Sequence, residues 1–121
     1  MIGILVNILI FVVVALFLYK RLVPAKGIRN ISTSELKTEL KNKDKQFIDV
    51  RTPSEFKGSR IKEFKNIPLY DLSKKASELS KDNEVFVICQ SGMRSSNATK
   101  VLKKMGFKNI TNVKGGMSAW R

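Results

Sequence analysis

The stretch that decides the fold is VFVICQSGMRSSNATKVLKKMG, residues 85–106. Residues 85–89 are a continuous apolar run, and such runs form strands that are covered on both faces of a parallel sheet. Residues 95–105 place apolar side chains at helical spacing, and Gly106 stands where that helix would end. A strand leading into a helix is the unit of α/β domains. We therefore expect an α/β domain, a mostly parallel sheet with helices on both faces.

The segments on either side of this unit fit the same architecture. Ser32 and Glu35 have capping-box spacing, which predicts the start of a helix that runs to about Asn42. Asp71 is predicted to cap another helix, and Gly115 and Gly116 to form a turn. We further predict strands at residues 29–31, 46–50, near Ile67 and at 110–113, and helices at 53–57 and 72–79.

The first nineteen residues differ in kind from the rest of the 121-residue chain. They contain no charged side chain, and only Gly3 and Asn7 fall outside the apolar class. At ~1.5 Å per residue, a helix of this length spans the hydrocarbon layer of a bilayer. We predict a transmembrane anchor at residues 1–19. A cleaved signal peptide, the alternative, would need a basic start and a shorter apolar core.

The charges after the anchor predict its orientation. Four basic residues follow the apolar segment and none precedes it; they are Lys20, Arg21, Lys26 and Arg29. The positive-inside rule then places the C-terminal domain in the cytoplasm, where a single free cysteine is also expected to stay reduced. The predicted organisation is an anchor at 1–19, a basic linker at 20–28 and a soluble domain at 29–121.

The counts of histidine and cysteine restrict the chemistry. With no His, the chain has no His metal site, no Ser-His-Asp triad and no Cys-His pair. With one Cys, Cys89, it has no internal disulfide and no second thiol to resolve an intermediate. Any group that Cys89 carries must therefore pass to an acceptor outside the chain.

Cys89 stands at the carboxyl end of the predicted central strand, where open α/β sheets bind their ligands. The backbone N–H groups of the following loop, the N-terminus of the next helix and Arg94 all favour a thiolate over a thiol. The same groups would bind a small anion. A buried, inert cysteine is the alternative. The residues expected to bind the anion are Gln90, Ser91, Gly92, Met93, Arg94 and Ser95, although Ser95 is also suited to starting a helix.

Two charged residues near the end of the strand at 46–50 are further candidates. Asp49 would orient Arg94 or Arg51, or accept hydrogen bonds from loop amides. Arg51 would contact an anionic donor, or pair with Asp49 or Glu55. We assign Arg51 to the anion site and Asp49 to its support.

Four stretches resemble a single rhodanese domain in order and spacing: QFIDVRTPSEF at 46–56, NIPL at 66–69, VFVICQSGMRSSNAT at 85–99 and GFKNITNVKGGMSAW at 106–120. The resemblance implies a thiosulfate:cyanide-like sulfurtransferase in which Cys89 takes the outer sulfur of a small anionic donor. The resulting persulfide would lie in the loop of residues 89–94, and a thiol or other nucleophile would accept the sulfur. No cofactor and no metal are expected.

The sequence differs from Cys-dependent phosphatases in the length of its loop, and from many rhodanese domains at two positions. Cys-dependent phosphatases have five residues between Cys and Arg, whereas this chain has four between Cys89 and Arg94. Many rhodanese domains carry Gly-His where this chain has Ser59 and Arg60. A membrane-tethered persulfide carrier or sensor, which docks a partner and turns over small donors poorly, is the alternative function.

The net charge of +13 divides unevenly along the chain. Residues 20–45 carry +5, residues 46–94 carry +2, and residues 95–121 carry +6 with no acidic side chain. A solvated basic face, attraction to an anionic membrane leaflet and steering of anionic donors would each explain this charge. Nucleic-acid binding is not expected, because aromatic residues are few and no recognition motif is present.

Overall fold

The N-terminal segment forms one long helix, α1, at Ile2–Leu22. The computed structural model describes residues 1–22 and 27–121, so Pro24 and Lys26 of the predicted linker lie outside the described residues. The helix continues past Tyr19, the predicted end of the apolar segment. Ile2–Tyr19 is long and apolar enough to cross a bilayer, and none of it is buried within the molecule. One such helix near an N-terminus fits an anchor and also a signal sequence.

A parallel sheet forms the centre of the domain. Its strands are β1 at Ile28–Ile31, β2 at Gln46–Asp49, β3 at Lys65–Asn66, β4 at Val85–Ile88 and β5 at Ile110–Val113. Their order across the sheet is β1-β5-β4-β2-β3, and each neighbouring pair is parallel. All four residues of the central strand, β4, are buried. The predicted mostly parallel α/β sheet is therefore confirmed.

Five short helices complete the domain. They are α2 at Thr33–Glu39, α3 at Pro53–Gly58, α4 at Leu72–Lys75, α5 at Met93–Lys104 and α6 at Gly116–Ala119, with 3-10 turns at Leu69–Asp71 and Ala76–Glu78. The predicted capping box is present: the Glu35 N–H donates to Ser32 Oγ, and the Ser32 N–H donates to a Glu35 carboxylate oxygen. A second capping box, formed by Thr52 and Glu55, begins α3.

The sheet buries side chains on both faces, as the apolar runs predict. Phe47 pairs with Phe86 across β2 and β4, with ring centroids 5.0 Å apart, and packs toward Leu36 on α2. The alternate residues Ile48 and Val87 belong to a second cluster on the other face, which also contains Ala98, Leu102 and Phe107. Helices therefore cover both faces of the sheet.

Several predicted boundaries were wrong. Helix α2 ends at Glu39, three residues before the predicted end near Asn42. The predicted helix at 72–79 divides into α4 and a 3-10 turn, and the Asp71 side chain makes no capping hydrogen bond, because Asp71 ends the preceding 3-10 turn in a helical conformation. Ile67 is buried just after β3 and is not part of it. Helix α5 begins two residues earlier than predicted, at Met93.

Candidate active site

The Cys89 thiol lies at the carboxyl end of β4, beneath the loop that leads to α5. The residue is 1% exposed. The Gly92 N–H donates to its Sγ at 2.9 Å, and the thiol donates to Ser95 Oγ at 3.4 Å. The Ser95 hydroxyl in turn donates to the Gly92 carbonyl at 3.1 Å. The structure thus brings together three of the predicted site residues around one sulfur atom.

This environment favours the thiolate. Burial by itself raises the pKa of the Cys89 thiol, but the hydrogen bond with the Ser95 side chain and those from the backbone N–H groups of Ser95, Gly92 and Ser91 together outweigh it. Once the thiol is ionised, the Ser95 hydroxyl can turn from the Gly92 carbonyl and donate to the sulfur. The pKa of Cys89 therefore lies below its ordinary value. A thiolate is the nucleophilic form of cysteine, so the arrangement is suited to nucleophilic chemistry at Cys89.

Replacing Ser95 by Ala is expected to raise the pKa of Cys89, because a hydrogen bond that favours the thiolate is lost. The measurement is the pH dependence of Cys89 alkylation by iodoacetamide, whose midpoint should move to higher pH. Ser91→Ala is the control, since it removes an exposed hydroxyl and keeps the backbone N–H of residue 91. A Ser95→Ala midpoint at or below that of the wild type would contradict the role given to Ser95.

The turn into α5 depends on Gly92. Its φ is +107°, a conformation that side-chain-bearing residues rarely adopt, and it is the N-cap residue of the helix. Its carbonyl accepts the Ser96 N–H at 3.1 Å, which begins the helical hydrogen bonding. The N-terminus of this twelve-residue helix therefore lies beside the sulfur, where its partial positive charge favours an anion.

The C-terminal segment supports the loop from behind. The N–H of Met117 donates to the Cys89 carbonyl at 2.8 Å, and the N–H of Ser118 donates to the Gln90 carbonyl at 2.9 Å. A Cβ added to Gly116 would lie 2.1 Å from the Cys89 carbonyl oxygen, so the two backbones approach more closely than any side chain allows. The predicted glycine turn is thus also a contact with the candidate active loop.

Arg94 is paired with a residue that the sequence did not assign to the site. Its two terminal nitrogens donate to the two carboxylate oxygens of Glu55, at 2.6 and 2.9 Å. Hydrogen bonding to Arg94 holds the pKa of Glu55 at about 2, so the carboxylate is ionised at neutral pH and is not a proton donor. The positive charge of Arg94, the last residue of the loop, is therefore balanced by the Glu55 carboxylate.

Arg51 and Asp49 form a buried pair behind the loop. Arg51 is 2% exposed, and its Nε and Nη2 donate to the Asp49 carboxylate at 2.8–3.0 Å. Its remaining donors point to the carbonyls of Glu55 and Ser59 and to Gln90 Oε1. With its N–H groups engaged by protein acceptors, the geometry does not support the expected contact between Arg51 and an anionic donor. Asp49 supports Arg51 and also accepts its backbone N–H.

The remaining predicted loop residues, and Arg60, make contacts of other kinds. The Gln90 side-chain amide accepts a hydrogen bond from Arg51 and donates one to Ser118 Oγ. Ser91 contributes its backbone N–H to the pKa of Cys89. Met93, at the start of α5, is 78% exposed. Arg60 lies over the Phe56 ring, 5.2 Å from its centroid, where many rhodanese domains have His.

A cleft of about 330 Å³ lies beside Arg94. Its walls are formed mainly by apolar groups of Val50, Pro68, Leu69 and Tyr70, with Thr52 beside them. The Tyr70 side chain is 72% exposed at this cleft. In the described ranges, 1–22 and 27–121, the structure has no grouping of three or more acidic, Cys or His side chains suited to a metal ion.

Comparison with known proteins gives one consistent family. The rhodanese-like domain model matches residues 32–121. YtwF of Bacillus subtilis, named as a candidate sulfurtransferase, is 42% identical over 94 residues, which cover 77% of this chain and 90% of YtwF. YrkF of the same organism, named as a candidate sulfur carrier protein, is 36% identical over 97 residues, which cover 79% of this chain.

Some of these relatives are longer than the matched region. The chain spans 52% of the length of YrkF. It spans 60% of YqhL, another Bacillus subtilis protein, to which it is 43% identical over 75 residues, or 62% of this chain.

The fold agrees with these sequence matches. A solved rhodanese-like domain protein from Staphylococcus aureus superposes with a TM-score of 0.71 at 33% identity, covering 77% of this chain and 91% of that one. The region matched by the family model begins just after β1 and contains strands β2 to β5, together with Cys89 and its loop. The chain belongs to the rhodanese-like domain family.

Proposed function

We propose that this chain is a membrane-anchored sulfurtransferase that moves sulfane sulfur through a persulfide on Cys89. The proposal rests on the hydrogen bonding around the Cys89 sulfur. It accepts the Gly92 N–H at 2.9 Å and contacts Ser95 at the N-terminus of α5. These groups stabilise a thiolate before attack and would stabilise the terminal sulfur of a persulfide afterwards. Sulfurtransferase relatives support the reaction class.

The reaction has two half-steps. The Cys89 thiolate attacks the outer sulfur of the donor, a new S–S bond forms, and the donor's own bond to that sulfur breaks with its electron pair on the leaving group. An acceptor nucleophile then attacks the outer sulfur of the Cys89 persulfide and regenerates the thiolate. The acceptor is a thiol or another nucleophile outside the chain, because the chain has one cysteine.

The anchor is the second part of the proposal. Ile2–Tyr19 can span a bilayer, and the basic residues that follow it would keep the domain on the cytoplasmic side. Protease added to intact cells or spheroplasts should then leave the domain uncut. Cleavage of the domain from outside would contradict this orientation.

A persulfide carrier is the second candidate function. The relative YrkF is named as a candidate carrier, and the exposed side chains of Tyr70 and Met93 near the loop would suit a protein partner. The two functions differ in turnover. The full-length chain, in detergent with a sulfane donor and cyanide, should form many molecules of thiocyanate per chain if it is an enzyme. Little thiocyanate from the small donor, although cyanide releases thiocyanate from a chain whose Cys89 already carries sulfur, would favour the carrier.

A further inference from the structure

Glu55 sets the charge that a donor meets at the candidate active loop. It holds both terminal nitrogens of Arg94 at 2.6 and 2.9 Å, so it neutralises the guanidinium in place. Glu55 is itself fixed, because one of its carboxylate oxygens accepts the Thr52 N–H at 3.1 Å and the Thr52 hydroxyl at 3.0 Å. A dianionic donor therefore gains little from Arg94 unless this fixed pair opens.

The cavity beside the pair is apolar. Arg94 is one of the residues that line the 330 Å³ cleft, and the others are Val50, Thr52, Pro68, Leu69 and Tyr70. A neutralised guanidinium next to apolar walls complements an organic group better than a second anionic oxygen. The exposed ring of Tyr70 offers a face on which such a group can pack.

We propose, on the basis of the function proposed above, that the preferred donor is an organic sulfane-sulfur compound of low charge. Glu55 is then a specificity residue, because its pairing with Arg94 disfavours dianionic thiosulfate. The cleft at Tyr70 receives the organic group of the donor while its outer sulfur meets Cys89.

The chemistry is balanced for this class of donor. With a thiosulfonate, R–SO₂–S⁻, the Cys89 thiolate bonds the outer sulfur and the sulfinate R–SO₂⁻ leaves with the electron pair. With an organic persulfide, R–S–S⁻, the leaving group is the thiolate R–S⁻. The total charge is the same before and after each step, and no further oxidant or reductant takes part.

Three donors distinguish the effect of the donor's charge from the effect of its apolar contact with the cleft. Thiosulfate carries two negative charges, methanethiosulfonate carries one, and benzenethiosulfonate carries one and adds a ring. The full-length chain in detergent is assayed with each donor and cyanide, and the ratios of kcat/KM between donors are compared among variants. A kcat/KM ratio between two donors does not depend on the amount of folded enzyme in the assay.

Glu55→Gln should raise the kcat/KM ratio of thiosulfate to methanethiosulfonate by about fivefold or more, because it frees the charge of Arg94. Gln still fits a capping box, so α3 keeps its start. Tyr70→Ala, at an exposed position, should lower the ratio of benzenethiosulfonate to methanethiosulfonate on the order of tenfold. Asp82→Asn makes the same change in net charge, but it lies before the amino end of β4, whereas the loop follows the carboxyl end. It should leave both ratios at wild-type values.

A steeper fall of thiosulfate kcat/KM with added salt in Glu55→Gln than in the wild type would further support a freed charge. An unchanged donor ratio in either Glu55→Gln or Tyr70→Ala overturns the donor assignment and leaves the proposed function standing. If the wild type shows no Cys89-dependent transfer from any of the three donors, the proposed function fails and the donor assignment fails with it.

Discussion

Replacing Cys89 by Ser is expected to lower thiocyanate formation by at least about 10³-fold, because it removes the atom proposed to carry the sulfur. A serine hydroxyl is not ionised at neutral pH, and the chain has no second cysteine to take over. The substitution is nearly isosteric, and the Cys89 backbone carbonyl keeps its hydrogen bond from the Met117 N–H. The loss should therefore be catalytic, with little change in folding.

Thermal denaturation of Cys89→Ser is the control for that interpretation, and its Tm should lie close to the wild-type value. Ser91→Ala, which keeps the loop backbone, should retain most of the turnover. If Cys89→Ser kept a tenth or more of the wild-type rate, another nucleophile would be responsible and the assignment of Cys89 would be wrong.

The second large effect is expected at Gly116, whose backbone lies against the carbonyl groups of Cys89 and Gln90. An alanine Cβ there would lie 2.1 Å from the Cys89 carbonyl oxygen and 2.9 Å from the carbonyl carbons of Cys89 and Gln90. Backbone cannot rotate away as a side chain can, so the active loop must shift. We expect kcat/KM to fall by about 10²-fold, as small misplacements of catalytic groups do, and the free energy of unfolding to fall by about 1–3 kcal/mol.

Gly58→Ala is the matched control for Gly116→Ala. A Cβ at Gly58, the last residue of α3, would meet no atom within 4 Å, and its φ is not in the left-handed range. Activity and Tm of this variant should stay near the wild type. A Gly116→Ala protein with wild-type turnover would show that the contact between α6 and the loop has no catalytic role.

The parts of the fold that follow from local pattern were predictable. Residues 85–88 of the predicted run at 85–89 formed β4, and the Ser32–Glu35 spacing formed a capping box, because both signals act within a few residues. The start of α5 was placed two residues late, since the left-handed conformation of Gly92 starts the helix at once. Asp71 was predicted as a cap from its residue type, whereas the preceding 3-10 turn decides its backbone conformation.

The pairing of charges at the site was not predictable in the same way. Two acidic and two basic side chains at the site can pair in more than one way. Only the tertiary structure shows that Arg51 pairs with Asp49 and Arg94 with Glu55. Glu55 had a local signal, the capping box with Thr52, but its bond to Arg94 spans 39 positions. The sequence predicts only a turn at Gly116. Its contact with Cys89 joins two distant parts of the chain, so no local pattern indicates it.

The most direct test of the central claim is the mass of the peptide that contains Cys89 after the full-length chain has been treated with a sulfane donor. Sulfur transfer through this residue predicts a gain of one sulfur atom at Cys89, its removal by cyanide with release of an equal amount of thiocyanate, and no gain in Cys89→Ser. A donor-treated chain that forms thiocyanate while the Cys89 peptide never gains sulfur would contradict the persulfide mechanism.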